Sequence, residues 1–340
     1  MNKFSLMLRY VLGALAAVVV FLSGTWGALA LWYQLPGSSA GRLLGSVAWA
    51  LLVLGLVALA IARRSLWPLA GYGVAMLLLL VWWWSIRPSN HRVWADDVAQ
   101  MLSGQVHGNL VTLHNVRDFD WRSDSDYDAR WETRDYDLDQ LVSADAILSY
   151  WDSRAIAHAM ISFGFDDGQH VVFSVEIRKK KGEAFSEIGG FFKQFEMVLV
   201  AADEHDIVRV RTNVRGEDDY LYPLDLQRAT MRTLFLSYVD AANQLHQRPA
   251  FYNTITSNCT TLVYRMARQM DPGLPMDLRL LLTGYLPGYL YDNGVLDRRW
   301  SLEAWTRHAR ITERARATKP GADFSRAIRA GAPTPGESTP

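Results

Sequence analysis

The chain has 340 residues, half of them hydrophobic, with 35 basic and 35 acidic side chains. That balance gives no electrostatic case for nucleic acid or acidic partners, and a single cysteine excludes an intrachain disulfide and any cysteine-rich zinc site. Thirteen tryptophans are many; Trp32, Trp67, Trp82, Trp83 and Trp84 fall in the first quarter, a distribution that points to a membrane interface.

The first quarter reads as membrane. Val11 to Leu31 carries no charge, Leu43 to Ala62 is closed by Arg63-Arg64, and Leu66 to Ile86 ends in a tryptophan cluster. Each run (11–31, 43–62 and 66–86) is close to the roughly 20 residues a helix needs to cross a bilayer. Lys3 and Arg9 suit a signal peptide, but the first run is long and two more follow, so three transmembrane helices are expected. Lys3, Arg9 and the Arg63-Arg64 loop outweigh the lone Arg42 of the first loop, which places the N-terminus in the cytoplasm and everything after Pro88 on the far side. Arg87 and Arg92 pull the other way. The domain plan is an anchor over 1–88, a soluble domain over 89–305 and a basic, disordered tail over 306–340. In a bacterium this is a multi-pass protein of the inner (cytoplasmic) membrane with its main domain in the periplasm.

Within the soluble part, Trp94 to Leu102 suits a short surface helix and Gly108 to Val116 alternates as a strand. Asp124-x-Asp126-x-Asp128 is reminiscent of a calcium loop, but Ala129 and Asp135 stand where that loop needs glycine and glutamate, so a salt-bridged polar loop is expected. Ile156 to Phe165 and Gln169 to Ile177 flank Asp166-Asp167-Gly168 as a hairpin. A three-residue loop with Gly168 left-handed pairs Phe165 with Gln169. Ala157, Ala159, Ile161 and Phe163 then face Ile177, Val175, Phe173 and Val171, making one face apolar throughout. The same register puts His158 opposite Glu176; were it otherwise, Ser174, His170 or a residue from another strand would have to orient the imidazole. A metal set of His158, His170 and Glu176 fails, because His170 lies about six residues along the sheet at roughly 3.3 Å each. Phe195 to Val200 and Ile207 to Thr212 read as further strands, and Asp225 to His246 as a long helix.

Cys259 closes the run Tyr252 to Asn258 and opens an amphipathic helix with Leu262, Val263, Met266, Ala267 and Met270 on one stripe. Ser257 or Asn258 caps it, which leaves the thiol at a helix start, where unpaired N–H groups favour thiolate and could hold an oxyanion. The alternatives are a buried cysteine acting as a small hydrophobe and a His158–Glu176 pair on a solvated face. Walker, dinucleotide-glycine and Gly-x-Ser-x-Gly patterns are absent.

Several runs in order carry a family resemblance. They are Asn115-Val116-Arg117-Asp118-Phe119, Trp131-Glu132-Thr133-Arg134, Tyr136-Asp137-Leu138, Ile156-Ala157-His158 with Ser162-Phe163, Ser174-Val175-Glu176-Ile177-Arg178 and Asn258-Cys259-Thr260-Thr261. Over roughly Val106 to Val295 the chain resembles the bacterial family named for the N-terminal periplasmic domain of Lnb, a lipoprotein N-acyltransferase. The order, histidine on a strand and cysteine later on a helix, also resembles permuted papain-like enzymes of the NlpC/P60 and lecithin–retinol acyltransferase group. The resemblance implies an α+β fold, with three N-terminal transmembrane helices followed by a permuted papain-like (NlpC/P60-like) domain of antiparallel sheet and helices. It implies Cys259 as nucleophile, His158 as base and Glu176 as orienter, with no cofactor and no metal. One departure stands out: Lnb carries its membrane part after this domain, whereas here three apolar runs precede it.

The expected chemistry is acyl transfer at the bilayer through a thioester on Cys259, with membrane lipids as partners and lipoprotein N-acylation as a candidate outcome. Two other readings remain open at this level, a thiol hydrolase of cell-wall peptides and a membrane-tethered binding module without turnover. An enzyme needs Cys259 and His158 adjacent in space; a binding module does not.

Overall fold

The computed structural model describes residues 3–319 and 321–331. Two compact units divide the chain: Met1–Pro88 with Ser186–Gln194, and Ser89–Phe185 with Phe195–Pro340.

The first unit holds α1 (Lys3–Gln34), α2 (Ser39–Arg63) and α3 (Trp67–Ser85). All three are long and apolar enough to cross a membrane. Without a hydrophobic drive between them, such helices associate through small residues and hydrogen bonds. Gly27 has no room for a Cβ, which would lie 2.6 Å from Trp49 Nε1 and 2.8 Å from Leu79. Trp49 Nε1 donates to the Gly24 carbonyl at 2.9 Å, and the Ser23 and Tyr72 hydroxyls meet at 2.6 Å. Segment 186–194 packs on the same helices. Phe192 stacks on Tyr33, Gln34 Nε2 donates to the Phe192 carbonyl, and Lys193 Nζ donates to that of Trp83.

The second unit is α+β. Its strands are β1 (Ser103–His107), β2 (Leu110–Arg117), β3 (Asp120–Trp121), β4 (Tyr127–Asp128), β5 (Trp131–Asp137), β6 (Leu141–Tyr150), β7 (His158–Phe165), β8 (His170–Arg178), β9 (Glu196–Ala202) and β10 (Asp218–Pro223). Its helices are α4 (Glu204–Arg209), α5 (Arg228–Gln247), α6 (Cys259–Met270), α7 (Leu286–Asp292), α8 (Leu302–Ala309), α9 (Thr312–Ala317) and α10 (Phe324–Arg329). The main sheet runs β1-β2-β9-β8-β7-β6-β10, with β5 also on β2. Its pairings are antiparallel, as expected, except that β2 meets β9 in parallel at Arg117 and Ala202, which makes the sheet mixed.

The β7–β8 hairpin has the register that its side chains predict, from Gly164 opposite His170 to Met160 opposite Ser174, with Phe165 and Gln169 closing the Gly168 turn. On its apolar face, Phe163 and Phe173 pack edge-on against Phe235 of α5, and Tyr238 stacks on Phe173 at 4.9 Å. The opposite face is not solvated as an ordinary surface hairpin would be. Ser162 and Ser174 are fully buried there.

Three further expectations change. The run Ile207 to Thr212, rich in β-branched residues, is not a strand: it forms the second half of α4 and the first half of a π-helical turn, Val210–Arg215. The acidic Glu204 and Asp206 in the first turn of α4 favour that helix start. Trp94 to Leu102 contains only a short 3-10 turn, Asp96–Val98, and Val98, Met101 and Leu102 are buried. The tail expected to be disordered from 306 instead continues the fold through α8, α9 and α10, burying Ile311, Ala315, Phe324 and Ile328; residues 332–340 of that expected tail lie outside the described part. Composition misled here because the basic residues are used internally. Arg329 binds Asp145 Oδ2 and Glu204 Oε1, each at 2.6 Å, and Ser162 Oγ donates to the same Glu204 oxygen.

Burial opposes the Glu204 carboxylate, but Arg329 and the Ser162 hydroxyl hold its pKa down to about 2, against an ordinary 4.5. Its contribution to stability is complete above the ordinary value and is lost as the pH falls towards 2. Arg329→Met is therefore expected to destabilise the domain by about 3–5 kcal/mol at pH 7, since it leaves two buried carboxylates uncompensated. Chemical denaturation of the detergent-solubilised chain measures this. The gap between variant and wild type should narrow at pH 3; equal midpoints at pH 7 would remove the role given to the C-terminal helices.

Candidate active site

Helix α6 opens on Cys259 because Asn258 stops the chain in extended geometry just before it. Asn258 Oδ1 accepts from the Thr261 N–H at 2.8 Å and the Thr260 N–H at 3.1 Å, while Thr261 Oγ1 accepts from the Asn258 N–H at 2.8 Å. This reciprocal cap fixes the helix start. Thr260 Oγ1 also donates to the Leu280 carbonyl. The cap consumes the Thr260 and Thr261 N–H groups, so of the first three donors only that of Cys259 itself is left for an oxyanion. Cys259 is 5% exposed.

His158 starts β7, and its imidazole is near enough to the Cys259 sulfur for each group to shift the other's protonation. Its Nε2 lies 2.7 Å from Ser174 Oγ and 3.1 Å from Glu176 Oε1, and Ser174 Oγ donates to that same carboxylate oxygen at 2.7 Å. The structure thus brings together Cys259, His158 and Glu176. It adds Ser174 as the group in best hydrogen-bonding contact with Nε2, so the carboxylate acts on the ring both directly and through a hydroxyl. His170 is at the other end of the hairpin, its Nδ1 near the Gly168 carbonyl.

The electrostatics favour an ion pair. Burial works against a charged imidazole, yet the facing Glu176 carboxylate outweighs it and holds His158 up at about 9. Burial also works against a thiolate, but the hydrogen bond and charge of His158, with the Ala159 N–H, bring Cys259 below its ordinary value. Glu176 stays ionised despite burial, well below the usual carboxylate range, through His158, Arg211 and Ser174.

Behind Glu176 lies a layer that sequence reasoning missed. Arg211, on the π-helical turn, reaches Glu176 Oε1 at 3.2 Å through Nη2 and Glu217 Oε2 at 3.0 Å through Nη1. Ser149 Oγ is in hydrogen-bonding contact with both Glu217 and Asp219. Asp219 is fully buried, and that burial pushes its carboxyl up to about 7. The only signal was weak: Ser149, Ser162 and Ser174 are small polar residues inside otherwise apolar strands.

The acidic loop holds arginine rather than an open set of ligands. Arg122 pairs with Asp126 and Asp128, and Arg215 with Asp124. Asp118, Asp203 and His205 do converge, within 4.8 Å. Arg130 and Arg134 already neutralise those two carboxylates, at 2.9 Å and 2.6 Å. A cavity of about 500 Å³ opens among Tyr150, Trp151, Arg154, Tyr220 and Tyr285; neither Cys259 nor His158 lines it.

The family model of the Lnb N-terminal periplasmic domain matches residues 127–284, a narrower span than Val106 to Val295 but one that includes His158, Ser174, Glu176, Arg211 and Cys259. No curated protein and no solved structure matches the chain. Residues 127–284 are thus similar to the Lnb N-terminal periplasmic domain.

Proposed function

We propose that this is a membrane-anchored periplasmic cysteine acyltransferase that works through a thioester on Cys259. The observation that carries the reading is the thiol at a capped helix start, interacting with an imidazole whose Nε2 is held by Ser174 and Glu176. The Cys259 thiolate attacks the carbonyl carbon of an ester donor. The His158 imidazolium gives its proton to the departing alkoxide, leaving an acyl thioester and a neutral imidazole. An amine then attacks the thioester, His158 takes the amine's proton, and the thiolate leaves. The Cys259 N–H is the helix-start donor for the oxyanion in each half. Shielding of the sulfur from water favours transfer to an amine over hydrolysis. The bilayer into which the three apolar helices fit supplies phospholipid as donor, and a lipoprotein amine is the acceptor that the motif resemblance implies. The order of strand-borne His158 and helix-borne Cys259 supports a permuted papain-like arrangement.

Incubation of the purified chain with phospholipid, followed by mass spectrometry, is expected to show an acyl adduct on Cys259. Cys259→Ala and His158→Ala should each lower transfer by roughly three orders of magnitude or more, and the double variant should be no worse than either, because the pair acts as a unit. Glu176→Gln should cost less, roughly 10–100-fold, since Ser174 still holds Nε2. Folded single variants that retain turnover would leave the tethered binding module as the better account.

The pH dependence follows from the same pair. With the thiol lowered and His158 charged up to about 9, the ion pair spans neutral pH. Alkylation of the lone cysteine by iodoacetamide should stay nearly constant from about pH 7 to 9 in the wild type. In His158→Ala it should fall steeply below about 8.5, the ordinary thiol value. Superimposable profiles would mean that the imidazole does not act on the sulfur.

Localisation is open to a direct test. Reporter fusions after Arg92 should be active only outside the cytoplasm, as the Arg63-Arg64 loop requires. Cytoplasmic activity would overturn the periplasmic placement and the envelope substrates with it.

A further inference from the structure

We infer that Arg211 is a positioning residue for the dyad: its guanidinium bridges Glu176 and Glu217 and so holds the Glu176 carboxylate against His158. The inference rests on the catalytic reading of Cys259 and His158 and extends it to a residue that touches neither.

The geometry carries it. Nη2 of Arg211 is 3.2 Å from Glu176 Oε1, the same oxygen that faces His158 Nε2 at 3.1 Å and accepts from Ser174 at 2.7 Å. Nη1 is 3.0 Å from Glu217 Oε2, which also accepts from Ser149. The guanidinium is a rigid planar fork, so fixing one nitrogen on Glu217 fixes where the other can be. Glu176 therefore cannot swing from the imidazole without giving up its arginine. Arg211 is 7% exposed and sits on a π-helical turn, a rare geometry that recurs at functional sites.

Arg211 is not placed for its own best satisfaction. Among the described residues its Nε finds no partner, and neither does Asp219 Oδ2 in the same cluster. A cation placed only to neutralise Glu217 has no need to leave a buried donor orphaned while spanning to a second carboxylate. Ser149 and Asp219 support the Glu217 end, and Ser149 is also the direct β6 partner of His158. The charged groups acting on the cluster are His158, Cys259, Glu176, Glu217, Asp219, Asp218 and Arg215 and, at longer range, Arg117.

Loss of charge and loss of positioning have different signatures. If Arg211 acts only as a nearby charge, removing it leaves Glu176 in place and lets His158 hold its proton more tightly, so the thiolate remains paired. If it positions Glu176, its removal frees the carboxylate, His158 gives up its proton at lower pH, and the thiol returns towards ordinary behaviour.

The test is the pH profile of Cys259 alkylation by iodoacetamide, read by mass spectrometry on the full chain in detergent. The variants are Arg211→Met, Arg211→Lys and the charge-neutral pair Arg211→Met with Glu217→Gln, and His158→Ala is the reference. Arg211→Met should move the midpoint upward by about one pH unit or more, towards His158→Ala, slowing alkylation roughly tenfold at pH 6.5. Arg211→Lys should recover part of the shift, because an ammonium keeps the charge without the two-pronged bridge. The double variant, which leaves no orphaned Glu217, should shift like Arg211→Met and covers the case in which the single variant does not fold. A folded variant without the guanidinium that titrates at the wild-type midpoint overturns the positioning role while leaving the dyad intact. A wild type that already titrates as an ordinary thiol, near about 8.5, overturns the dyad and the positioning role together.

Discussion

Keeping a charged imidazole out of water is the constraint on which this domain depends. Each ion removed from water costs several kcal/mol even after relaxation, and only close, well-directed partners return it. The sheet supplies those partners in a row. Asp219 on β10 lies opposite Ser149 on β6, and Ser149 opposite His158 on β7; Glu176 follows on β8. A second row repeats the device, with Asp145 opposite Ser162 and Glu204 above them. Each row is closed by one guanidinium bridging two carboxylates, Arg211 over the first and Arg329 over the second. The polar face of the sheet is thus an ordered ionic layer.

Such a layer is a poor source of net stability, since buried ion pairs do little better than hydrophobic replacements. The opposite face supplies what it lacks. Phe163, Phe173 and Phe165 form an aromatic cluster with Phe235 and Tyr238 of α5, and these side chains are almost fully buried. Apolar burial of this kind is worth about 2–3 kcal/mol per large side chain. One strand pair therefore serves both purposes, its alternation sending aromatic residues to one face and polar ones to the other.

What the sequence made legible follows the same division. Local periodicity gave the three apolar helices, the α5 stripe through Leu234, Phe235, Tyr238, Val239, Ala242 and Leu245, and the hairpin register through Gly168. The start of α6 was readable because Asn258 and Thr261 lie close enough in sequence to form a cap. Arg211 was not readable. It lies 35 residues from Glu176, in a run whose β-branched residues mimic a strand, and nothing local says that its partner is a buried carboxylate. Arg329 was hidden in the same way, by a basic composition that suits a solvated tail equally well. Periodicity reports which face is apolar; it does not report which charges meet across a fold.

The Asn115 to Phe119 motif shows how far such placement reaches from the chemistry. Asn115 takes a left-handed conformation at φ 63, with its side-chain amide donating to the Met101 carbonyl, and the β2–β5 register shifts between His114 and Val116. Beyond that shift, Arg117 grips Asp206 through two nitrogens, at 2.8 Å and 3.0 Å. The Phe119 N–H and Trp121 Nε1 bind the same carboxylate at 3.0 Å and 2.7 Å. Asp206 lies in the first turn of α4, and α4 runs directly into the π-helical turn that carries Arg211. A motif with no atom in the dyad thereby fixes the helix from which the guanidinium reaches Glu176. Its residue types suit support rather than reaction: a bidentate arginine, a backbone N–H and an indole surrounding one buried carboxylate make a rigid joint.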